Sequence, residues 1–222
     1  SIGVTVAGTS LIGNSIGEKD ERKASYYFTH IIYFGVIISI FITCIGLYFS
    51  EKVFYLMGSN EEITKLGLQY TDIMFYGSFL FFLVVSLNSL LHAEGDTKTY
   101  RNVLVLSFLL NIILNPILIW GFLFIPALGM TGIGLSTIIS QLIAFLIITL
   151  KVMQNDRVKK ITKEFFIIKF IYLKNIFFQS MPISIAICGY AVAATLIFTY
   201  IGLSGEMAVA GYGAATRIEQ VV

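Results

Sequence analysis

The residues of this chain with the clearest capacity for chemistry are two amides in the segment LNIILNPILIWG, residues 110–121. Asn111 and Asn115 are one helical turn apart, and Ser107 is one turn earlier, so the three side chains share one face of a predicted helix. Pro116 has no backbone N–H to donate, which predicts a helix kink and a freed carbonyl beside the amides. Such a group of oxygen atoms suits a hard cation or a polar substrate group.

Further uncharged polar residues interrupt other apolar stretches, namely Asn14, Asn88, Thr137 and Gln141. An unsatisfied polar group in hydrocarbon costs several kcal/mol, so these side chains should face other helices or a wet cavity. One interpretation makes all six polar residues, these four with Asn111 and Asn115, the lining of a cation or substrate cavity. The other makes them hydrogen-bonding contacts between helices, and the residues alone leave both open.

Catalytic chemistry finds no support in the sequence. There is no His/Cys/Asp cluster, no serine elbow and no pair of acids inside an apolar run. We therefore predict that the protein is not an enzyme and needs no organic cofactor.

The elements that must position these residues are membrane-spanning helices. Hydrophobic residues make up 57% of the chain and charged residues 13%, against about 25% charged in soluble domains. A spanning helix needs roughly 20 apolar residues, and the charge-free runs are long enough for several. The predicted spans are 1–17, 26–50, 71–93, 101–124, 130–152, 176–203 and 207–222, the first and last incomplete.

The basic residues predict the orientation of these spans. Of the 15 Lys and Arg residues, 12 lie in the breaks at 18–23, 94–101 and 151–174. The alternate breaks hold only Lys52 and Lys65. Because short basic loops stay in the cytoplasm, the first set is predicted to be cytoplasmic and the second to face outward.

The break at 151–174 has its own pattern. Lysines alternate with phenylalanines and isoleucines in RVKKITKEFFIIKFIYLKN, which predicts an amphipathic helix on the cytoplasmic lipid surface. It is either a linker between two helical bundles or an ordinary basic loop. Since both ends of the sequence fall inside apolar segments, we also expect a piece of a longer polytopic chain.

Seven segments, in this order and spacing, resemble the MATE family of multidrug and toxic-compound extruders. They are GTSLIGNSIGEKDERKA (8–24), FYLMGSNEEITKLGLQYTDI (54–73), HAEGDTKTYRNV (92–103), LNIILNPILIWG (110–121), LGMTGIGLSTIISQ (128–141), MPISI (181–185) and AVAGYGAATRI (208–218). The resemblance implies an all-α, two-lobed transmembrane bundle, truncated to roughly helices two to eight of twelve.

The resemblance also implies a division of the chain. Residues 1–150 would be most of the N-terminal six-helix lobe, without its first helix. Residues 151–175 would be the linker between the lobes, and residues 176–222 the start of the C-terminal lobe.

Only part of the family's cation site is matched. Some members bind the coupling ion with Asn and Asp on helix five, Thr on helix six and Asp on helix one. Asn111 and Thr137 match the first and third, which implies a possible Na⁺ site between them, whereas Asn115 stands where those members have Asp. In another branch a Glu follows the helix-seven proline, here the second predicted kink Pro182, by two turns, and Tyr190 occupies that position.

The function implied is export of cationic or amphipathic drugs in exchange for Na⁺ or H⁺. The partners would be the lipid bilayer and small organic cations, not nucleic acid, and the protein would be a monomer in a bacterial cytoplasmic membrane. The alternatives are a lipid-linked saccharide flippase of the same superfamily and a non-transporting membrane component. A flippase would grip a diphosphate with basic residues, and the charge-free runs contain none.

Overall fold

The computed structural model describes residues 2–56, 60–122, 126–202 and 206–219, which fold almost entirely as α-helix. A short 3-10 helix at Lys163–Phe166 accompanies the α-helices. The α-helices of these ranges are α1 (Ile2–Gly17), α2 (Glu21–Leu56), α3 (Glu61–Tyr76), α4 (Ser78–Ala93), α5 (Thr97–Trp120), α6 (Met130–Met153), α7 (Asp156–Lys159), α8 (Phe170–Gly202) and α9 (Glu206–Glu219).

The long helices agree with the predicted spans. Among the described residues, α2, α5, α6 and α8 are each long and apolar enough to cross a membrane, and α3 with α4 makes a fifth span. The helices extend beyond the charge-free runs because charged residues continue them into the interfaces. The all-α, polytopic fold class is confirmed.

The outward break predicted at 51–70 is largely helical, which corrects that prediction. Helix α2 continues to Leu56, and α3 begins at Glu61. The Asn60 side chain accepts a hydrogen bond from the Ile63 backbone N–H at 2.8 Å, so it caps α3. The charged residues of α3 made this segment resemble a loop, although it is a helix that continues into the following span.

The span predicted at 71–93 is bent where α3 meets α4. The two helices meet at Gly77 at an angle of 41°. A Cβ atom at Gly77 would lie 1.8 Å from the Ile138 side chain, so only glycine allows α6 this close to the bend.

Helix α4 is the centre of the first structural unit. It packs against α1, α2 and α6, and six successive residues, 86–91, are buried. The Ser86 hydroxyl donates to the Ile31 carbonyl oxygen on α2 at 3.2 Å. On α1, a Cβ at Gly8 would lie 2.8 Å from Ser89. Small residues therefore let three helices approach α4 closely.

The chain divides into two compact units, Ser1–Ser180 and Met181–Val222. The segment 151–175, predicted as a linker, falls within the first unit. The second unit contains the rest of α8 and the described part of α9.

The single amphipathic helix predicted for the linker segment (151–175) is wrong. The structure has the four-residue α7, the 3-10 helix and then α8. Polar side chains of α2 hold the intervening backbone: Thr29 donates to the Phe165 carbonyl oxygen at 2.9 Å and Tyr33 to that of Phe166 at 3.1 Å. Phe165 is buried, whereas Phe166, Ile167 and Ile168 are exposed. Contact of the segment with lipid therefore stays a prediction.

Ion pairs attach the same segment to the helix ends. Arg157 Nε donates to Glu94 Oε1 at 2.7 Å, and its guanidinium also pairs with Glu21. Arg22 pairs with Glu164 at 3.1 Å. One arginine thus connects the end of α4, the start of α2 and the linker segment.

Candidate functional site

The structure brings Asn111, Asn115, Ser136 and Thr137 together where α5 packs against α6, and we call these four residues the amide cluster. Asn111 Oδ1 accepts a hydrogen bond from Ser136 Oγ at 3.3 Å and a long one from Thr137 Oγ1 at 3.5 Å. Ser136 Oγ also donates to Asn115 Oδ1. The side-chain oxygens of both amides therefore converge on two hydroxyls of α6.

Close packing of the two helices sets this register. A Cβ at Gly132 would lie 2.6 Å from the Leu118 carbonyl oxygen, so glycine is required where α6 passes the end of α5. One turn further along α6, Ser136 reaches Asn115. The Asn111 amide nitrogen is held by its own helix, because Nδ2 donates to the Ser107 carbonyl oxygen at 3.0 Å.

The amide cluster is open on one side. Ser136 is fully buried, whereas Asn111, Asn115 and Thr137 are each half-buried. The two amide oxygens and two hydroxyl oxygens form a set of hard, neutral donors of the kind that coordinates alkali and alkaline-earth cations. None of the four residues releases a proton near neutral pH, so the cluster by itself suits a cation rather than a proton.

The other predicted cavity residues are distributed differently. Gln141 is half-buried on α6, one turn beyond Thr137. Asn14 is exposed on α1, a helix that packs against α2 and α4 and not against α5 or α6 within the described residues. The structure therefore separates Asn14 from the amide cluster.

Asn88 lies inside the bundle, and its predicted part in a cavity stays a prediction. Its side chain is 0% exposed at the centre of the bundle. Neither its Oδ1 nor its Nδ2 has a hydrogen-bond partner among the described residues. Buried polar atoms of this kind are normally satisfied, often by ordered water.

The two prolines that were predicted to kink helices, Pro116 and Pro182, lie inside continuous helices. Pro116 is four residues before the end of α5, and Pro182 lies within α8. Pro116 follows directly after Asn115, so the missing backbone N–H falls next to the amide cluster.

Two important residues are absent from the predicted site. Ser136 contacts both amides, and its position next to Thr137 is the signal that could have found it. His30 of α2 is 0% exposed and accepts a hydrogen bond from the linker segment.

The ring of His30 has a defined tautomer. Nε2 accepts the Lys169 backbone N–H at 2.8 Å, so the ring proton lies on Nδ1. Nδ1 then donates to the Tyr26 carbonyl oxygen at 2.7 Å. Nothing in the sequence near His30 indicates a partner 139 positions away.

The segment AEGDTKT (93–99) ends α4 and caps the start of α5. Gly95 has a positive φ of 86° where α4 ends. Asp96 begins α5 by accepting hydrogen bonds from the Thr99 backbone N–H at 3.0 Å and from the Thr99 hydroxyl at 2.6 Å. This loop is therefore structural.

Apolar spanning helices with a neutral oxygen cluster between two of them define a multi-pass membrane protein. The chain belongs to the MatE family, whose profile matches residues 1–117. It is 26% identical over 232 residues to the "Probable multidrug resistance protein YoeA" of Bacillus subtilis, covering 100% of this chain and 49% of that protein.

Two further similarities cover the whole chain. The "FAD transporter" of Shewanella oneidensis is 26% identical over 233 residues, covering 100% of this chain and 49% of that protein. The solved inward-facing conformation of a multidrug resistance MATE family transporter of the MOP superfamily superposes with a TM-score of 0.86 at 27% identity, covering 99% of this chain and 49% of that one. The chain spans about half the length of the relatives it matches.

Proposed function

We propose that the protein containing this chain is a secondary active antiporter that exports cationic or amphipathic drugs in exchange for Na⁺ or H⁺. The observation that carries the proposal is the amide cluster. It brings four side-chain oxygens together between α5 and α6, with Ser136 buried and the other three residues half-buried. Membership of the MatE family supports the same activity.

The composition of the amide cluster favours Na⁺ among the two coupling ions. Its four residues offer oxygen ligands but no titratable group. Among the described residues, no three His, Cys, Asp or Glu side chains come together as a metal site. Proton coupling would therefore require an acid outside the amide cluster.

The lack of charge in the spans supports an amphipathic cargo. The runs 24–50, 73–93, 102–150 and 175–205 contain no Lys, Arg, Asp or Glu. These segments offer an apolar surface to an amphipath and no counter-charge to a cation or an anion, so the preference for a cation is tested by the transport assay.

A flavin nucleotide is the second candidate cargo, because the sequence identity to the FAD transporter, 26%, equals that to the multidrug resistance protein. The two candidates differ in charge, since FAD carries a diphosphate. We rank FAD second because the four charge-free runs hold no Lys or Arg that would pair with a diphosphate.

Reconstitution of the complete gene product in liposomes tests the proposal. Ethidium and FAD transport would be followed under an imposed Na⁺ gradient and, separately, an imposed proton gradient. We expect ethidium to move against its own gradient when the Na⁺ gradient is present. FAD transport without ethidium transport would establish the second candidate, and transport of neither would refute the proposal.

A further inference from the structure

An apolar groove lies between α2 and α3, away from the amide cluster. Its volume is about 530 Å³, within the range of about 300–1,000 Å³ that small-ligand sites occupy. The walls are hydrocarbon and aromatic rings, with two hydroxyls at the edge. Residues that line it include Phe41, Ile45, Phe49 and Val53 of α2 and Thr71 and Phe75 of α3.

Two glycines set the close contact between α2 and α3, and one of them, Gly46, lines the groove. A Cβ at Gly46 would lie 2.2 Å from the Phe75 ring, and one at Gly67 would lie 2.4 Å from the Phe54 ring. The helices therefore touch along one line, where a ring of each helix lies on a glycine of the other. The groove lies beside this line of contact, so the packing of the two helices sets its shape.

The groove extends along one leaflet of the bilayer. From Phe41 to Ser50 the helix advances nine residues, or about 14 Å. The hydrocarbon core is about 30 Å thick, so this stretch covers half of it. The basic residues predict that the start of α2 is cytoplasmic, which puts the groove in the outer leaflet, from the midplane to the surface.

A positive charge stands at the outer end of the groove. Lys52 Nζ lies 5.5 Å from the centre of the Phe49 ring, a wall of the groove, and 4.6 Å from that of the Tyr48 ring. Lys52 and Lys65 are the two basic residues in the predicted outward segment 51–70, which also holds Glu51, Glu61 and Glu62, so the positive charge is local to Lys52. A lysine stem on aromatic rings with its ammonium at the interface is suited to a lipid phosphate.

We propose that this groove binds one anionic phospholipid of the outer leaflet, with an acyl chain along Phe41, Ile45 and Phe49 and the phosphate against Lys52. Three observations agree on this occupant: the slender apolar shape, a length equal to one leaflet, and the ammonium group at the surface end. The site is separate from the amide cluster and independent of which solute is transported.

Photolabelling of the complete gene product in lipid nanodiscs tests the proposal, with a phosphatidylglycerol probe that carries a diazirine on its acyl chain. Labelled peptides would be mapped by mass spectrometry. We expect adducts concentrated in 41–54 and 71–75. Ile45→Trp fills the groove and should abolish these adducts. Ile40→Trp, on the same helix and exposed but outside the groove, should leave them unchanged.

The charge of the headgroup is tested with Lys52→Glu against Lys65→Glu. The first should lower phosphatidylglycerol labelling of the groove about fivefold, and the second should not. A phosphatidylethanolamine probe should label the groove weakly, and this labelling should be the same in wild type and in Lys52→Glu.

Three results would overturn the proposal. One is labelling spread evenly over the apolar surface of the helices. Another is equal labelling by both lipids in wild type and Lys52→Glu. The third is an unlabelled groove that cross-links instead to another segment of the gene product or to a second copy, which would make it a protein–protein contact.

Discussion

At the residue scale, the two amides of α5 differ in what their oxygen atoms meet. Asn111 shares its oxygen between two hydroxyls of α6, and Asn115 accepts from Ser136 alone. The spacing of Asn111 and Asn115 predicted that they share a face. The partner Ser136 was not predicted, because cross-helix pairing depends on the contact of Gly132 with Leu118 and not on spacing within one helix.

Asn88 shows that the sequence alone does not determine how deeply a polar residue is buried. A polar residue in an apolar span is consistent with a cavity and with a buried core position alike. Its neighbours Ser89 and Ser86 are small, and α1 and α2 approach α4 there. This close packing, which the sequence does not display, buries the amide completely.

Asp96 gives a prediction for stability and pH. Hydrogen bonds from the Thr99 hydroxyl and the Thr99 backbone N–H hold the pKa of Asp96 below its usual value. Because the folded-state pKa is depressed, the stabilisation is complete well above the ordinary Asp pKa of about 3.9 and is lost as pH falls through the lower folded pKa. Asp96→Ala should cost about 1 kcal/mol of stability at pH 7.

Thermal unfolding of the purified protein at pH 7 and at acidic pH measures this effect. Asp96→Asn is the matched control, because asparagine also caps helices but does not ionise. Asp96→Asn should unfold near the wild-type temperature at pH 7. When the pH is lowered, its unfolding temperature should fall less than that of the wild type, because residue 96 no longer titrates. An unchanged unfolding temperature in Asp96→Ala would contradict the capping role.

At the scale of elements, the long apolar helices were predictable and the amphipathic ones were not. Charge-free runs located α2, α5, α6 and α8, because a spanning helix excludes charge. Helix α3 was missed as a helix over most of its length because Glu61, Glu62 and Lys65 resemble a loop. In the structure Asn60 caps the helix and Thr64 is buried.

The single helix predicted within the linker segment was wrong for a related reason. Its pattern of lysines and phenylalanines suits a lipid surface, but residues 29–33 of α2 carry hydroxyls and a histidine that bind its backbone. Contacts between positions more than 130 apart leave no local signal in the sequence.

His30 should determine how tightly the linker segment is docked. His30→Phe keeps a ring of similar size but leaves the Lys169 backbone N–H without its acceptor. The loss of a part-buried hydrogen bond costs about 1–3 kcal/mol, so hydrogen–deuterium exchange at Lys169 should accelerate about tenfold.

The other histidine of the chain provides the control for this measurement. The centres of the His92 and Tyr100 rings lie 5.6 Å apart. His92 is on α4, away from Lys169. His92→Phe should leave exchange at Lys169 unchanged. Equal exchange rates in wild type and His30→Phe would show that His30 does not hold the linker segment.

At the scale of the whole molecule, the chain accounts for about half of a transporter of its family. The fold class, the order of the spans and the family were accessible from the sequence, because hydropathy and motif order persist at 26% identity. The cargo and the coupling ion depend on groups that converge in three dimensions, and we propose the amide cluster as the part of that arrangement which this chain supplies.

Ethidium efflux by the complete gene product with Asn111→Leu is the most direct test of the amide cluster. Leucine has a similar size but offers no oxygen to Ser136, Thr137 or a cation. Asn14→Leu is the control, since Asn14 is exposed on α1 and separate from the cluster. We predict that Asn111→Leu inserts into the membrane normally and abolishes efflux, and that Asn14→Leu transports like wild type; efflux by Asn111→Leu at the wild-type rate would contradict the account.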